Sequence, residues 1–331
     1  MRQFGSPRAQ ANSILVLGTT QHNMKLTVII CTYNRASSIG RALESVLASV
    51  LSPGVGWELL VVDNNSKDDT RAAVNQFCLR HPGRVRYLFE SQQGLSNARN
   101  AGIREARGEI IAFTDDDVTV EPTWLQNLTG CLHDGTWAGA GGCIRPPEDF
   151  TPPDWLSLDG GITDSSGVLA LFDVGTVPGE LNKAPFGANM AFRKEIFEKY
   201  GAFRPDLGRS GDSLLSNEDT EFGGRLMAAG ERLRYEPSAV VYHPVPKERL
   251  SKKYFLSWWF AHGRAKFRQT GKRPSVRGIP RHYISIVSRS LRWMLSSSPD
   301  PKRRFFWKTR TWEAAGELFE IYRGRQQNKN R

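Results

Sequence analysis

Asp115, Asp116 and Asp117 stand side by side, directly after the apolar run 110–113. Three adjacent carboxylates repel one another, and a divalent cation among them offsets that cost. Carboxylate oxygens are the usual ligands of Mg²⁺ and Mn²⁺. A solvated acidic turn would carry the same triplet; the strand-like run in front of it favours the cation. A second acidic pair, Glu218 and Asp219, opens a helical stretch, where the positive dipole end suits carboxylates. Locally the pair caps that helix. Facing a substrate, one of the two would serve as a general base. Adjacent helical residues point about 100° apart, so only one can do so.

These groups need a frame. Residues 27–31 form a continuous apolar, β-branched run, as in a strand buried on both faces. Ile39, Leu43, Val46, Leu47 and Val50 follow at helical spacing, with Ser37 or Ser38 as N-cap. Further strands are read at 58–62, 85–89 and 109–114. Helices are read around Ala73, Val74 and Phe77, and from Ser96 to Ala106 with Gly108 as a left-handed stop. This alternation is the βαβ rhythm of an α/β, mostly parallel sheet, which binds ligands at the carboxyl ends of its strands. Three polar clusters lie at such ends: 32–35, 63–65 and 115–117. Residues 144–185, broken by prolines, read as a long loop. A short helix to Tyr200, a helix from Glu218 to Ala229 and a strand at 239–242 leading to His243 complete the pattern.

The net charge of +11 is unevenly spread. Residues 247–331 hold 22 lysines and arginines against 5 acids, a net +17, and the remainder is −6. Such a basic segment suits a polyanionic partner. Within it Tyr254, Phe255, Trp258 and Trp259 are expected on one helical face, and Ile284, Val287, Leu291 and Met294 recur at helical spacing. Tryptophan beside lysine and arginine is an interfacial membrane signature. A packed helical appendage with a basic outer face is the alternative, and no nucleic-acid motif is present. No stretch approaches the ~20 apolar residues of a membrane span. Cys31, Cys78, Cys131 and Cys143 read as reduced core residues, the usage of a cytoplasmic protein.

Six segments together resemble glycosyltransferase family 2, whose members have the GT-A fold. They are 28–35 (VIICTYNR), 61–66 (VVDNNS), 94–102 (GLSNARNAG), 113–117 (FTDDD), 187–192 (GANMAF) and 217–221 (NEDTE), in the family's order. Residues 1–23 read as a disordered leader, with Met24 a candidate start, and the charge and periodicity beyond 246 read as a basic helical C-terminal segment. The resemblance, over about residues 26–245, implies a Rossmann-like sheet with helices on both faces, forming a GT-A domain at 24–246. That domain divides into a nucleotide-sugar half, 24–143, and an acceptor and catalytic half, 144–246; the basic appendage is 247–331.

By the same resemblance the chain is a metal-dependent, inverting glycosyltransferase of the bacterial polysaccharide or glycoconjugate type. A nucleotide-sugar is its donor, and a saccharide or lipid-linked molecule its acceptor. Thr32, Tyr33, Asn34, Arg35, Asp63 and Asn65 line the nucleotide pocket, Arg99 supports it, and Asp115 lies near the ribose. Asp117 holds Mn²⁺ or Mg²⁺, with Asp116 a rival ligand because the triplet allows two registers, and His243 near the metal or diphosphate. Asp219 is the base, with Glu218 beside it; Trp155 and Asn189 belong to the acceptor side. The enzyme is expected in the cytoplasm, peripheral on the inner membrane face through 247–331, without nucleic acid. A nucleotidyltransferase would carry a glycine-rich loop after the first strand, yet no glycine occurs there before Gly40. A carbohydrate- or membrane-binding module would not need both acidic clusters.

Overall fold

The computed structural model describes residues 24–161, 163–211, 213–271, 275–276, 279–295 and 300–329; the expected leader at 1–23 lies outside them. The N-terminal half runs β1 (Met24–Thr32), α1 (Ile39–Leu47), β2 (Gly56–Asp63), α2 (Thr70–Arg80), β3 (Val85–Phe89), α3 (Leu95–Glu105) and β4 (Ile110–Asp115). Then come β5 (Thr119–Val120), α4 (Trp124–Gly130), β6 (Gly139–Arg145), β7 (Gly179–Glu180), β8 (Met190–Arg193), α5 (Lys194–Tyr200), α6 (Glu218–Ala228) and β9 (Leu233–Tyr242). Three helices close the chain: α7 (Lys252–Thr270), α8 (Arg281–Met294) and α9 (Pro301–Lys329).

The sheet order is β3-β2-β1-β4-β8-β6-β9-β5, with β7 on β9. The four strands β3, β2, β1 and β4 are parallel throughout, and β8 inserts antiparallel between β4 and β6. The chain moves outward from β1 to β3, then jumps back across β1 to β4. Right-handed crossovers therefore put α1 and α2 on one face and α3 on the other. The reversal leaves a crevice at the carboxyl ends of β1 and β4, the usual ligand position in such a sheet. Cys31 of β1 pairs with Asp115 of β4 in register, so the acidic triplet emerges there.

The apolar runs of β1, β2 and β4 are buried on both faces, which explains their continuous hydrophobic reading. Some local expectations give way. Neither Ser37 nor Ser38 caps α1 through its side chain, and Val50 lies beyond the helix, exposed. Ser96 does not cap α3 either: the helix starts at Leu95, and the Ser96 hydroxyl donates to the Leu207 carbonyl. Gly108 has no positive φ; it is required because a Cβ there would strike the backbone of Leu26 and Thr27. The glycine-rich β6 escapes propensity altogether. Its bare backbone lets Phe192, Pro185 and Asn189 pack where side chains would stand.

The loop 144–185 is held by a second apolar cluster. Leu156, Val168, Leu169 and Leu171 pack with Phe255 and Trp259 of α7 and Phe305 of α9. Tyr254 and Trp258 pack against the same cluster, so the four aromatic residues of α7 share its inward side, and Trp258 reaches the cleft as well. Arg264 and Arg268 bond Glu320, and Lys266 bonds Glu313, which ties α7 to α9.

Candidate active site

A cleft of about 360 Å³ opens at the β1/β4 crevice. Thr32, Tyr33, Arg35, Arg99, the triplet 115–117, Glu218, Asp219 and His243 all line it, though they span more than 200 residues of chain. Arg99 is the organising charge. Buried on α3, it donates to Glu218 Oε1 at 2.6 Å and lies 3.7 Å from Asp115 Oδ1. Gly187 packs closely beside it, and a Cβ there would meet the guanidinium, so a larger residue would have to displace Arg99. Glu218 is therefore spent on Arg99. Asp219, one position on, turns outward; its Oδ2 accepts the Gly187 N–H at 2.8 Å and its Oδ1 the Thr220 N–H at 2.6 Å. The two carboxylates at the start of α6 are divided by the helical twist.

At the triplet, Arg35 lies 3.5 Å from Asp116 Oδ1 and 3.8 Å from Asp117 Oδ2. Burial, then repulsion from Asp117, pushes the Asp116 carboxyl up to about 7. Burial raises Asp115 as well, against the pull of Arg99. His243 follows β9, buried, with Nδ1 2.9 Å from the Pro244 carbonyl. A carbonyl only accepts, so Nδ1 donates in that contact. Nε2 faces Asp117 Oδ1 at 3.8 Å. An imidazole nitrogen and a carboxylate oxygen so placed are donor types that would hold a divalent cation. Among the described residues, no three His, Cys, Asp or Glu side chains form a ready metal cage. The residues fit a cation whose shell is completed by its ligand.

The Asp116 shift has a measurable consequence. Folded Asp116 keeps its proton to about pH 7, whereas the unfolded residue loses it near 3.8. The folded state then binds more protons between these values, so stability falls as pH rises through that window. Asp116→Asn removes the ionisable group, and melting in EDTA should show a gain at pH 8, on the order of 2–4 kcal/mol. The gain should shrink at pH 5. An equal gain at both pH values contradicts the ionisation account.

Other expected residues lie elsewhere. Asp63 is buried below the cleft, its carboxylate accepting from Ser66 N–H and Tyr87 O–H at 2.9 and 2.8 Å. It shapes the loop, and its neighbour Asn64 reaches the cleft instead. Asn34 and Asn65 do not line the cleft. Both have left-handed backbone, and with Asn217 before α6 they form three such turns at its rim. Asparagine tolerates that conformation. Asn34 bridges two loops, its N–H donating to Ser66 Oγ and its Oδ1 accepting the Lys67 N–H. Asn189 is wholly buried: it donates to the Cys143 and Ala239 carbonyls and accepts from Trp124, clamping the sheet. Trp155 does not line the cleft either. It packs edge-on against Phe255 and Phe305 at 5.0 and 4.8 Å.

Residues that the sequence did not assign to the site take part. Trp258 and His262 of α7, stacked at 5.0 Å, form part of the cleft wall, as do Arg209 and Arg249. Their only sequence signal was aromatic and basic composition. Gly167 and Ala170 of the long loop also reach the cleft. Cys31 lines it too, but burial pushes its thiol up to about 12, which keeps it unreactive. All four cysteines are free thiols.

This architecture is the GT-A fold of glycosyltransferases, and a solved structure shares it. That is the mannosyltransferase PcManGT from Pyrobaculum calidifontis, in complex with GDP-Man and Mn²⁺. It is 21% identical with a TM-score of 0.62, covering 90% of this chain and 87% of that one. The chain belongs to glycosyltransferase family 2: the profile described as "Glycosyl transferase family 2" matches residues 27–201. It is a glycosyltransferase acting on a nucleotide-sugar donor and an acceptor. Among its relatives is the succinoglycan biosynthesis protein ExoM of Rhizobium meliloti, 27% identical over 72% of this chain and 73% of that protein. Another is the glucosyl-dolichyl phosphate glucuronosyltransferase of Haloferax volcanii, 28% identical over 71% of this chain and 75% of that protein.

Proposed function

We propose that this chain is a metal-dependent, inverting glycosyltransferase that moves one sugar onto a saccharide or lipid-linked acceptor at an anionic membrane surface. The observation that carries the reading is a division of labour within one cleft. Asp117 faces Nε2 of His243, while Asp219 stands apart, freed by the Arg99–Glu218 pair. A divalent cation held by Asp117 and His243, with Asp116 in the alternative register, would neutralise charge on the diphosphate. Tyr33 and Asn64 bound the nucleotide end, with Thr32 and Arg35 beside them and Asp115 toward the ribose. Arg209 and Arg249 add positive charge where the diphosphate leaves.

In the reaction, the acceptor hydroxyl oxygen forms a bond to the anomeric carbon. The bond from that carbon to the diphosphate oxygen breaks, and its electron pair leaves with the diphosphate. The hydroxyl proton passes to the Asp219 carboxylate. Attack opposite the leaving group inverts the anomeric configuration. The names of two relatives, one polysaccharide-building and one acting on a dolichyl phosphate, support both acceptor classes.

The test is donor hydrolysis. Purified protein is incubated with a panel of nucleotide-sugars in Mn²⁺ or EDTA, beginning with GDP-mannose, and released UDP or GDP is measured. One donor should turn over only with the cation. Equal turnover in EDTA would falsify the metal-dependent reading; nucleotide transfer from a triphosphate would favour a nucleotidyltransferase.

A further inference from the structure

We propose that α8 is a membrane-contact helix, laid flat on an anionic lipid surface with its apolar stripe in the headgroup boundary. One side of α8 is docked on α9. Trp293 packs edge-on to Trp312 at 6.0 Å, the Tyr283 and Tyr322 hydroxyls lie 2.7 Å apart, and Arg289 bonds Glu313 at 3.0 Å. The opposite side is bare. Ile284, Val287 and Leu291 are 42%, 56% and 46% exposed, and Met294 and Leu295 are 67% and 76% exposed. Their spacing puts them within one stripe about 100° wide. Isolated apolar side chains are ordinary at a surface; four aligned on one helix, with Leu295 next after its end, form a contact site.

Charge selects the occupant. Residues 249–299 contain 12 lysines and arginines and no acid, and Arg264, Lys266, Arg268 and Arg289 among them are paired with Glu313 and Glu320 of α9. Arg292 borders the stripe, its guanidinium 5.0 Å from the Trp307 ring. A second copy of the chain would bring together two segments with the same excess of positive charge, which is repulsive. An anionic bilayer offers apolar depth to the stripe and phosphates to the arginines. The tryptophans of this segment serve elsewhere: Trp259 in the loop core, Trp258 at the cleft, and Trp293 against Trp312. Among the described residues no helix is long and apolar enough to cross a membrane, so α8 would rest on the surface. The helices α7 and α8 flank α9, so the lipid contact and the cleft wall belong to one helical block. This deepens the membrane placement proposed above and rests on that reading for its lipid-linked acceptor.

The test is flotation of the full-length protein with phosphatidylcholine vesicles, with and without an equal share of phosphatidylglycerol, at 0.1 M and 1 M NaCl. Binding is expected on the anionic vesicles at low salt and should weaken at high salt, as the Debye length falls from about 10 to 3 Å. The triple variant Val287→Ser, Leu291→Ser, Met294→Ser should bind about 10–100-fold more weakly, with unchanged donor hydrolysis. Should it melt early, Met294→Ser with Leu295→Ser at the end of the helix reads the same contact. Wild-type affinity in a folded stripe variant overturns the proposal. If the wild type floats under no condition yet turns over donor, the membrane placement falls and the catalytic reading stands. A dimer that the stripe variant converts to monomer, with lipid binding intact, also overturns the proposal and makes α8 a subunit interface.

Discussion

Asp117→Ala is expected to remove the Mn²⁺-dependent part of nucleotide binding. Asp117 is the triplet member whose oxygen faces His243 Nε2. On the proposed reading, its loss would leave the cation one protein donor and the diphosphate without its bridge. Changing even a group behind a metal ligand costs about 10–100-fold in affinity, so losing a direct ligand should cost at least ~100-fold. Calorimetry of UDP or GDP with Mn²⁺ measures this, with EDTA titrations as the baseline. Asp116→Ala is the companion variant. Asp116 is held by Arg35 and is largely buried, so its loss should weaken binding less. The reverse ranking would move the metal to the other register of the triplet. Unchanged affinity in both variants would remove the metal assignment.

Asp219→Asn should leave donor affinity intact and reduce turnover about 10²–10⁴-fold, the usual contribution of a positioned base. Asparagine keeps one acceptor oxygen, so it can still accept the Gly187 or the Thr220 N–H but not both, and a small loss of stability should accompany the loss of turnover. Glu218→Gln should behave differently. It breaks a buried ion pair and leaves Arg99 without its main partner, a loss of about 3–5 kcal/mol. That variant should melt at lower temperature, and any loss of turnover should follow the loss of folded protein. Steady-state turnover with soluble acceptor, beside thermal melts, separates the two effects. A stable, inactive Glu218→Gln together with an active Asp219→Asn would reverse the assignment.

Much of the frame is legible in the amino-acid sequence itself. The runs in β1, β2 and β4 are apolar without alternation because both faces are covered, and turns rich in Asn and Asp end them. That combination alone puts 32–35, 63–65 and 115–117 at strand ends on one side of a parallel sheet. The strand β6 is not legible, because its glycines carry no pattern; only its packing against Phe192 and Asn189 makes it a strand. Most of β9 is hidden for a related reason: Arg234 and Glu236 interrupt its hydrophobic reading, and its register shifts opposite Gly142 and Cys143.

Which polar residue faces the cleft was a matter for the tertiary structure. Asp63 and Asn64 are neighbours, yet the first is turned inward by Tyr87 and Ser66 and the second reaches the cleft. Glu218 and Asp219 are likewise split by Arg99, a residue 119 positions away. Trp155 stood in the segment expected over the acceptor and went into a core, whereas Trp258 came from the basic tail to the cleft wall. Composition and periodicity therefore determined the elements and the edge where the chemistry gathers, since burial of apolar surface acts on each segment's own pattern. The direction of each side chain depended on partners distant in sequence, because a buried charge or amide settles where its hydrogen bonds are met.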